Sequence, residues 1–398
     1  MTVAALTALA ALVAPQAQAV PAGAASAQGR GAAATYYVDC AAGSDTAPGT
    51  GPATAWRTLT KASAAAYRPG EPDPLQARHH LYRRVRTRRS GTAGVPLSAG
   101  AYGSVAHTDR TGIDTSSTWG RRPEHPNGPG TSFAPITGLS LHHNTVRDVG
   151  GDGIVVQTAV GARVEHNLVD GFNTRSGGYN AGIWAWNSDR VLYRFNEVTG
   201  GHGTRDSMAY DIDGGNNGNV YQYNYCHDNE GGFLLICNGE GMVSDRNTVR
   251  YNVSVNDRNT SAPCGVISVV CGPATHTLVH NNTVTTSVPG AAMVSSNGPG
   301  GVTFRDHIFA GAAAGSPIAD PHNTYDHNLY ARISGIPGGD TGAVCADPRF
   351  VAPDDVRLRA GSPALGAGVR VPGGGDRDYY GNPVPDPPNI GADQGRGR

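Results

Sequence analysis

A short motif built around one asparagine recurs along the chain after residue 137, and it constrains the fold more than any other feature. Its clear copies are His143-Asn144-Thr145-Val146, His166-Asn167-Leu168-Val169, Phe195-Asn196-Glu197-Val198, Tyr223-Asn224-Tyr225-Cys226, Tyr251-Asn252-Val253-Ser254 and Asn281-Asn282-Thr283-Val284. They are spaced by 23, 29, 28, 28 and 30 residues, and Asp326-His327-Asn328-Leu329-Tyr330 is a weaker copy. Self-similarity at a nearly fixed period of this length is typical of solenoid proteins.

Each repeat unit has the pattern of several short strands and shows no helical spacing. A unit contains a strand, the asparagine turn, a second strand, a loop of variable length and a third, apolar strand such as Gly153-Ile154-Val155-Val156. About 22 residues or more per turn matches a coil of a parallel β-helix, not a propeller blade or a leucine-rich repeat. We therefore predict an all-β parallel β-helix solenoid with its coils over residues 111–345, in which the asparagines stack in a structural ladder.

Two flanking segments carry a resemblance to a known family. The residues Tyr36-Tyr37-Val38-Asp39, Gly43-Ser44-Asp45, Pro48-Gly49-Thr50 and Trp56-Arg57-Thr58-Leu59 resemble the entry segment of secreted right-handed parallel β-helix proteins of the pectate-lyase-like superfamily. Asp347-Pro348-Arg349-Phe350 and Gly361-Ser362-Pro363-Ala364 resemble the closing segment that covers the last coil in many of these proteins. The resemblance implies a right-handed coil, an N-terminal cap and first coil region over 35–110, a C-terminal cap over 346–398, and an extracellular carbohydrate-active protein.

Residues 71–92 break this pattern. Proteins of that family continue here as a strand, whereas this segment is rich in Arg and lacks strand periodicity. A shift of one nucleotide in the reading frame turns the segment into the expected strand and turn, so one hypothesis is a frameshifted translation. The alternative is a basic functional insertion, and the nucleotide sequence decides between the two. We therefore do not interpret this basic run as a binding patch.

The N-terminal sequence predicts export from the cell. Residues 2–14 form a short apolar run followed by Ala17-Gln18-Ala19, a cleavage signal of small residues, although no Lys or Arg precedes Arg30. An apolar run of this length is too short to span a bilayer. We predict a signal peptide over residues 1–19, a disordered linker rich in Ala and Gly over 20–34, and a secreted, extracellular protein that does not bind membranes.

Charge and cysteine content narrow the expected partners. The chain carries 31 Lys and Arg against 32 Asp and Glu, so it has no global basic surface for nucleic acid or an anionic membrane. We expect a monomer that binds a polysaccharide and requires no cofactor. Six Cys are too few for a disulfide scaffold. Cys237 and Cys271 end successive strands and are the first pair to test for a disulfide, with unpaired buried thiols as the alternative.

The most distinctive polar and aromatic pattern lies on two of the third strands. Aligned by their Gly or Ala starts, these strands share an inward column of Ile154, Ile183, Tyr210, Phe233 and Val266. The outward columns then contain Val155, Trp184, Asp211, Leu234, Ile267 and Gln157, Trp186, Asp213, Ile236, Val269. Successive coils lie about 4.8 Å apart and positions i and i+2 about 6.6 Å apart, so the two Trp and two Asp form one compact patch. Indole rings beside carboxylates predict a sugar-binding site.

Three interpretations of Asp211 and Asp213 remain open. They can act as acid/base or nucleophilic carboxylates that hydrolyse a glycosidic bond, as oxygen ligands of a Ca²⁺ ion that grips a uronate, or as structural groups that bond loop amides. Glu230 on the next coil is the candidate second catalytic carboxylate. His227 and Asp228 beside it are candidate substrate contacts, or else solvated turn residues.

The loop of residues 200–206 directly precedes the strand that carries the two Asp residues. His202 and Arg205 in this loop are candidate contacts for substrate hydroxyls or a substrate carboxylate, with a plain surface position as the alternative. Trp184 and Trp186 are expected to stack on pyranose rings, although a long loop folded over them would make them a minor core instead.

Three functions fit this patch. A secreted glycoside hydrolase is favoured, because paired carboxylates and aromatic platforms suit the hydrolysis of a polysaccharide. The first alternative is a polysaccharide lyase that uses Arg205 or Arg246 as its base and depends on Ca²⁺ in one variant. The second is a non-catalytic glycan-binding β-helix or adhesin. Fold alone does not choose among them.

Overall fold

The computed structural model describes residues 37–39, 42–58, 61, 76–78, 85–87, 97–100, 104–106, 111–115, 134–203, 205–239, 241–258 and 264–398. The predicted signal peptide over 1–19 and the predicted linker over 20–34 lie outside the described residues and stay predictions. Within the described residues, no helix is long and apolar enough to cross a membrane.

The described residues form short strands and one 3-10 helix turn at Pro52–Thr54. In chain order the strands are β1 (Tyr37–Asp39), β2 (Gln76–Arg78), β3 (Val85–Thr87), β4 (Leu97–Gly100), β5 (Ser104–Ala106), β6 (Ile113–Thr115), β7 (Ile136–Thr137), β8 (Leu139–His142), β9 (Thr145–Arg147), β10 (Ile154–Gln157), β11 (Ala159–Val160), β12 (Arg163–Glu165), β13 (Leu168–Asp170), β14 (Ile183–Trp186), β15 (Leu192–Arg194), β16 (Glu197–Thr199), β17 (Met208–Asp213), β18 (Val220–Gln222), β19 (Tyr225–His227), β20 (Gly232–Cys237), β21 (Ser244–Asp245), β22 (Thr248–Arg250), β23 (Val253–Val255), β24 (Ile267–Val270), β25 (Ala274–Thr275), β26 (Thr277–His280), β27 (Thr283–Thr285), β28 (Val294–Ser296), β29 (Val302–Arg305), β30 (Ile308–Ala310), β31 (Ser316–Ala319), β32 (Thr324–Asp326), β33 (Leu329–Ala331), β34 (Ile333–Ser334) and β35 (Val344–Cys345).

Three long parallel sheets run along the molecule. Sheet I contains β3, β6, β10, β14, β17, β20, β24, β28, β31 and β34; sheet II contains β4, β8, β12, β15, β18, β22, β26, β29 and β32; sheet III contains β5, β9, β13, β16, β19, β23, β27, β30, β33 and β35. The chain visits sheets I, II and III in turn and then returns to sheet I one coil further on. The predicted all-β parallel β-helix is thus confirmed.

The repeated asparagines form the ladder that the sequence predicted. Asn196, for example, receives the amide of Asn167 on its Oδ1 at 2.9 Å and donates its own amide to Asn224 at 3.0 Å. The residue before each asparagine of the six clear copies has a positive φ between 48° and 57°, which makes the corner between sheets II and III. Because these amides are buried, each rung supplies hydrogen-bond partners to groups that water cannot reach.

The interior is filled by one side chain in two from each strand. Val164, Tyr193 and Ile212 are among the fully buried residues of a single continuous core. Period-two alternation therefore leaves the other residues of sheet I on its outer face. This outer face, rather than the core, is where functional side chains of sheet I have to lie.

The alignment of third strands was wrong by one residue from β20 onwards. Tyr210 pairs with Leu234, not Phe233, and Asp211 pairs with Leu235. The reason is that β17 begins at Met208, which pairs with Gly232, one residue before the Ala209 on which the sequence alignment was set. The outward neighbours of Asp211 and Asp213 on the next coil are therefore Leu235 and Cys237.

The C-terminal segment packs along the flank of the coil. Leu358, Ala364 and Ile390 bury against outward side chains of sheet III such as Ile308 and Leu329. The sequence predicted a segment that covers the last coil, whereas these contacts place it on the outer face of sheet III. That face is thereby covered in the C-terminal coils, and among the described residues this apolar cluster contains no side chain of sheet I.

The N-terminal segment that resembles a cap is compact where it is described. The buried Trp56 donates its indole N–H to the carbonyl of Ala47 at 2.8 Å, and Asp45 accepts the hydroxyl of Thr58 at 2.7 Å. Strands β2 and β3 fall within residues 71–92, where the sequence pattern indicated no strand. The frameshift hypothesis concerns the gene and stays a prediction.

Candidate functional site

Strands β14 and β17 bring the predicted aromatic and acidic residues together on the outer face of sheet I. Trp184 pairs with Asp211 in the parallel register, between the inward pairs formed by Ile183 with Tyr210 and Ala185 with Ile212. By the same register Trp186 is level with Asp213. The predicted outward register of this patch is therefore the one that the structure has.

Asp211 is buried although it lies on the outer face. Its side chain is 5% exposed, and among the described residues its Oδ1 has no hydrogen-bond partner. The hydroxyl of Tyr221 in the core donates to the backbone carbonyl of Asp211 at 2.8 Å, which fixes the strand at this position. Burial raises the pKa of Asp211 well above its usual range, and the nearby carboxylates Asp213 and Asp206 raise it further.

Asp152 is a third carboxylate of the site, and the sequence interpretation did not single it out. It lies in the turn before β10 and accepts the backbone N–H of Ala181 at 3.0 Å and the indole N–H of Trp184 at 2.8 Å. Burial raises the pKa of Asp152. Its acceptor role orients Trp184, so the ring that was predicted to stack on sugars is tied to the acidic group by its own N–H.

Asp206 is the fourth carboxylate, and it too was missed as a candidate. It lies in the loop directly before β17, where its Oδ1 accepts the backbone N–H of Met208 at 3.5 Å. Burial raises the pKa of Asp206 to about 7, with further contributions from the charges of Asp152 and Asp213. The sequence did contain a signal for Asp152 and Asp206, because each lies in the loop directly before a strand of sheet I.

We call Asp152, Asp206, Asp211 and Asp213 the carboxylate cluster. Asp213 accepts the backbone N–H of Gly214 at 2.9 Å, and burial together with the charge of Asp152 raises its pKa to about 6. Burial is the main cause of the raised pKa values in the cluster, and the negative charges of neighbouring members raise those of Asp206, Asp211 and Asp213 further. Carboxyl groups with raised pKa values are suited to acid/base chemistry near neutral pH.

An apolar flank explains the strong desolvation of the cluster. Leu235, beside Asp211 on the next coil, belongs to a buried group with Met208 and Val270. Cys237, beside Asp213, forms a disulfide with Cys271, and the Cα atoms are 5.0 Å apart. The predicted pairing of these two Cys is the one found. The carboxylates thus border hydrocarbon and sulfur on one side instead of water.

Glu230 and His202 form a pair that is separate from the carboxylate cluster. Glu230 Oε2 accepts the backbone N–H of Gly203 at 3.0 Å and lies 2.8 Å from Nδ1 of His202. Glu230 thus contacts the loop of residues 200–206. Its carboxylate already holds that loop, so a positioning role fits the geometry, and the predicted catalytic role stays a prediction.

His227 and Asp228 are not brought to the carboxylate cluster. His227 ends β19 in sheet III, where its Nδ1 lies 2.8 Å from Asp228 and its Nε2 lies 3.4 Å from Glu197. Partial burial lowers the pKa of His227, but the hydrogen bonds to Asp228 and Glu197 outweigh it and raise the pKa overall. This polar group lies on a different sheet from Asp211, and its predicted contact with substrate stays a prediction.

Of the other predicted contacts, Trp186 is buried and Arg205 lies beside an exposed aromatic ring. Trp186 is only 9% exposed and offers little ring face to a ligand. Arg205 lies at the rim, where its Cζ is 5.5 Å from the centroid of the exposed Tyr179 ring. Within the described residues, no group of three or more His, Cys, Asp or Glu side chains is arranged to hold a metal ion.

Comparisons with known proteins give one relative by sequence. No family model matches the chain. Lacto-N-biosidase of Bifidobacterium longum subsp. longum is 29% identical over 310 residues, which are 64% of this chain and 19% of that protein. The chain therefore spans about a fifth of the length of this relative.

Two solved structures illustrate the structural likeness. The complex of XylC with xylose has a TM-score of 0.48 at 11% identity and covers 82% of this chain and 65% of that one. The GH136 lacto-N-biosidase from Eubacterium ramulus has a TM-score of 0.38 at 17% identity, with 75% and 68% covered. At these scores the likeness carries no argument about activity.

Proposed function

We propose that the protein is a glycoside hydrolase that cleaves a neutral glycan at the carboxylate cluster. The observation that carries the proposal is the group of buried carboxylates on the outer face of sheet I and in the loops that enter it, beside Trp184. Burial raises the pKa of Asp206 to about 7 and that of Asp213 to about 6, and we assign the proton to Asp206 and the ionised state to Asp213. Glycosidases use such a division, in which a carboxylic acid protonates the leaving oxygen and a carboxylate acts at the sugar carbon or activates water.

Each member of the cluster then has a role that its surroundings suit. Asp206, at the loop end, donates the proton to the departing sugar oxygen. Asp213, at the end of β17 and held by the N–H of Gly214, acts as the ionised carboxylate. Asp211 is too buried to reach a substrate, and burial together with the charges of Asp213 and Asp206 favours its protonated form. Asp152 positions Trp184 through the 2.8 Å indole hydrogen bond.

A neutral substrate is supported by the charges of the site. The charges that raise the pKa values of Asp206, Asp211 and Asp213 are those of other carboxylates. A uronate placed against them would add a further negative charge and be repelled. This supports hydrolysis of a neutral glycan over lyase action on a uronate polymer.

The sequence relative points in the same direction. The protein that matches over 310 residues is named a lacto-N-biosidase and hence a glycosidase. Glycans that carry a lacto-N-biose unit are therefore the first neutral substrates to test. We further propose that the protein is secreted and that it is a monomer. The predicted signal peptide supports secretion. The disulfide between Cys237 and Cys271 also supports secretion, because disulfides persist in oxidising compartments.

Product analysis on a glycan panel tests the proposed function. The panel contains oligosaccharides with a lacto-N-biose end, neutral plant oligosaccharides, and uronate polymers. We expect new reducing ends from a neutral member and no ultraviolet absorbance from a 4,5-unsaturated sugar. An unsaturated product from a uronate polymer would establish a lyase instead, and binding without any product would establish a glycan-binding protein.

The dependence of activity on pH follows from the same two groups. Below pH about 6 Asp213 becomes protonated and loses its carboxylate, and above pH about 7 Asp206 loses the proton that it must donate. We therefore expect a narrow bell-shaped profile of kcat/KM with its maximum between pH 6 and 7. Initial rates between pH 4 and 9 at constant ionic strength measure it. A plateau that extends above pH 8 would contradict the role of Asp206.

A further inference from the structure

We propose that Tyr179 forms a sugar-stacking subsite at the rim of the carboxylate cluster. This rests on the proposed function and adds to it a residue that sets affinity for the part of the glycan beyond the cleaved bond. Tyr179 is 73% exposed, the highest value among the exposed large apolar side chains of the described residues. Single exposed apolar side chains are common on protein surfaces, and what distinguishes Tyr179 is that its loop is hydrogen-bonded to the residue next to Asp206.

The loop that carries Tyr179 is anchored to the acidic site. Asn180, the next residue, donates its side-chain amide to Asn173 at 3.0 Å, and its carbonyl accepts the N–H of Ser207 at 2.9 Å. Asn173 in turn donates to the hydroxyl of Ser207 at 2.8 Å. Ser207 directly follows Asp206, the proposed proton donor. The backbone next to Tyr179 is therefore hydrogen-bonded to the residue that follows the proposed proton donor.

Arg205 orients the ring and leaves room beside it. Its guanidinium stacks on Tyr179 at 5.5 Å from the ring centroid, so one face is occupied by a cation. The high exposure of Tyr179 leaves the other face to solvent. This open face is the one to which a pyranose ring would bind.

The chemistry of the subsite selects an uncharged sugar with an apolar ring face. Trp184 and Trp186 are the aromatic residues that were expected to stack on sugars. Trp184 donates its indole N–H to Asp152, and Trp186 is buried. Tyr179 thus offers the most accessible aromatic face near the cluster among the described residues. Stacking on it gives affinity from C–H contacts and excluded water, whereas hydrogen bonds to Asp206 and Asp213 serve the bond to be broken.

Steady-state kinetics of Tyr179→Ala and Tyr179→Phe test the subsite. On a glycan long enough to extend past the cleaved bond, Tyr179→Ala is expected to raise KM about three- to tenfold with kcat within about twofold. Tyr179→Phe keeps the ring and is expected to restore the wild-type KM. Phe195→Ala is the control, because Phe195 is also an exposed aromatic but lies on the corner between sheets II and III. Thermal unfolding verifies that each variant is folded.

Binding measurements separate this proposal from the proposed function. Calorimetric titration of the same glycan into Asp213→Asn and into Asp213→Asn with Tyr179→Ala reports the subsite without turnover. A three- to tenfold weaker Kd in the double variant supports the subsite, even if the wild-type protein hydrolyses nothing and the hydrolase proposal fails. Equal Kd values, a loss of kcat with unchanged KM, or a failure of Tyr179→Phe to restore KM would overturn the subsite. A wild-type protein that binds no glycan overturns both proposals.

Discussion

Asp213→Asn is expected to lower kcat/KM for the cleaved glycan by about 10²- to 10⁴-fold while the protein stays folded. The amide keeps the size of the side chain, and its oxygen can still accept the N–H of Gly214. It cannot act as an ionised carboxylate at the sugar carbon or as a base for water. Because the replaced carboxyl is costly to ionise where it lies, the variant loses no stability at neutral pH. Initial rates of the variant and of the wild-type protein on the same glycan measure the effect.

The matched control for this variant is Asp354→Asn. Asp354 is exposed in the C-terminal segment, so the same chemical change there removes a charge that faces water. We expect its kcat/KM to stay within about twofold of the wild-type value. Full activity of Asp213→Asn would refute the proposed role of that carboxylate, and an equal loss in both variants would point to a general effect of charge.

The proposed role of Asp206 as proton donor is tested by the same rate measurements on Asp206→Asn. For Asp206→Asn we expect a loss that depends on the leaving group, because an acidic phenol departs without protonation while a sugar alcohol does not. The loss should be at least about tenfold smaller for an aryl glycoside with an acidic phenol than for the natural glycan. Equal losses on both substrates would mean that another group, such as Glu230, donates the proton.

The fold was largely predictable because the sequence repeats the same physical requirement in every coil. The side chains of Asn167, Asn196, Asn224 and Asn252 each accept from the preceding coil and donate to the next, which an amide does well. His307 takes the ladder position after Asn282. Such a requirement is local and visible in one chain. The C-terminal segment was harder, because Leu358 and Ile390 are apolar residues whose partner surface, the flank of sheet III, has no sequence signal of its own.

The candidate site was predictable only where strands carry it. Trp184 and Asp211 alternate with core residues, so their common face followed from periodicity, and the register confirms it. Asp152 and Asp206 were missed because they lie in loops, where no period indicates which way a side chain points. Their importance comes from burial beside other carboxylates, and that depends on how successive coils stack. The alignment error of one residue, which placed Leu234 instead of Leu235 beside Asp211, also comes from the variable length of these loops.

The largest loss of stability is expected from removing one rung of the asparagine ladder. The buried side chain of Asn196 accepts the backbone N–H and the side-chain amide of Asn167 at 3.0 and 2.9 Å. It donates to the carbonyl of Val164 at 2.8 Å and to Asn224 at 3.0 Å. In Asn196→Ala all four groups lose this partner inside the coil, and each buried group left unsatisfied costs about 1–3 kcal/mol. We expect unfolding to become easier by about 3–5 kcal/mol.

Thermal unfolding measures this effect against Asn297→Ala, in which an exposed asparagine is truncated in the same way. An unfolding entropy of about 2.1 cal/mol/K per residue gives a shift of about 1 °C per kcal/mol for a chain of 398 residues. Asn196→Ala should therefore lower Tm by roughly 4–6 °C, while the control changes it by about 1 °C or less. The loss cannot be confined to one coil, because each coil of a solenoid is stabilised by its neighbours. Activity of Asn196→Ala should therefore fall at the temperature where the variant unfolds, with kcat near the wild-type value well below it. A Tm within about 2 °C of the control would mean that water or a shifted neighbour satisfies the ladder, and that the asparagine repeat reflects turn geometry alone.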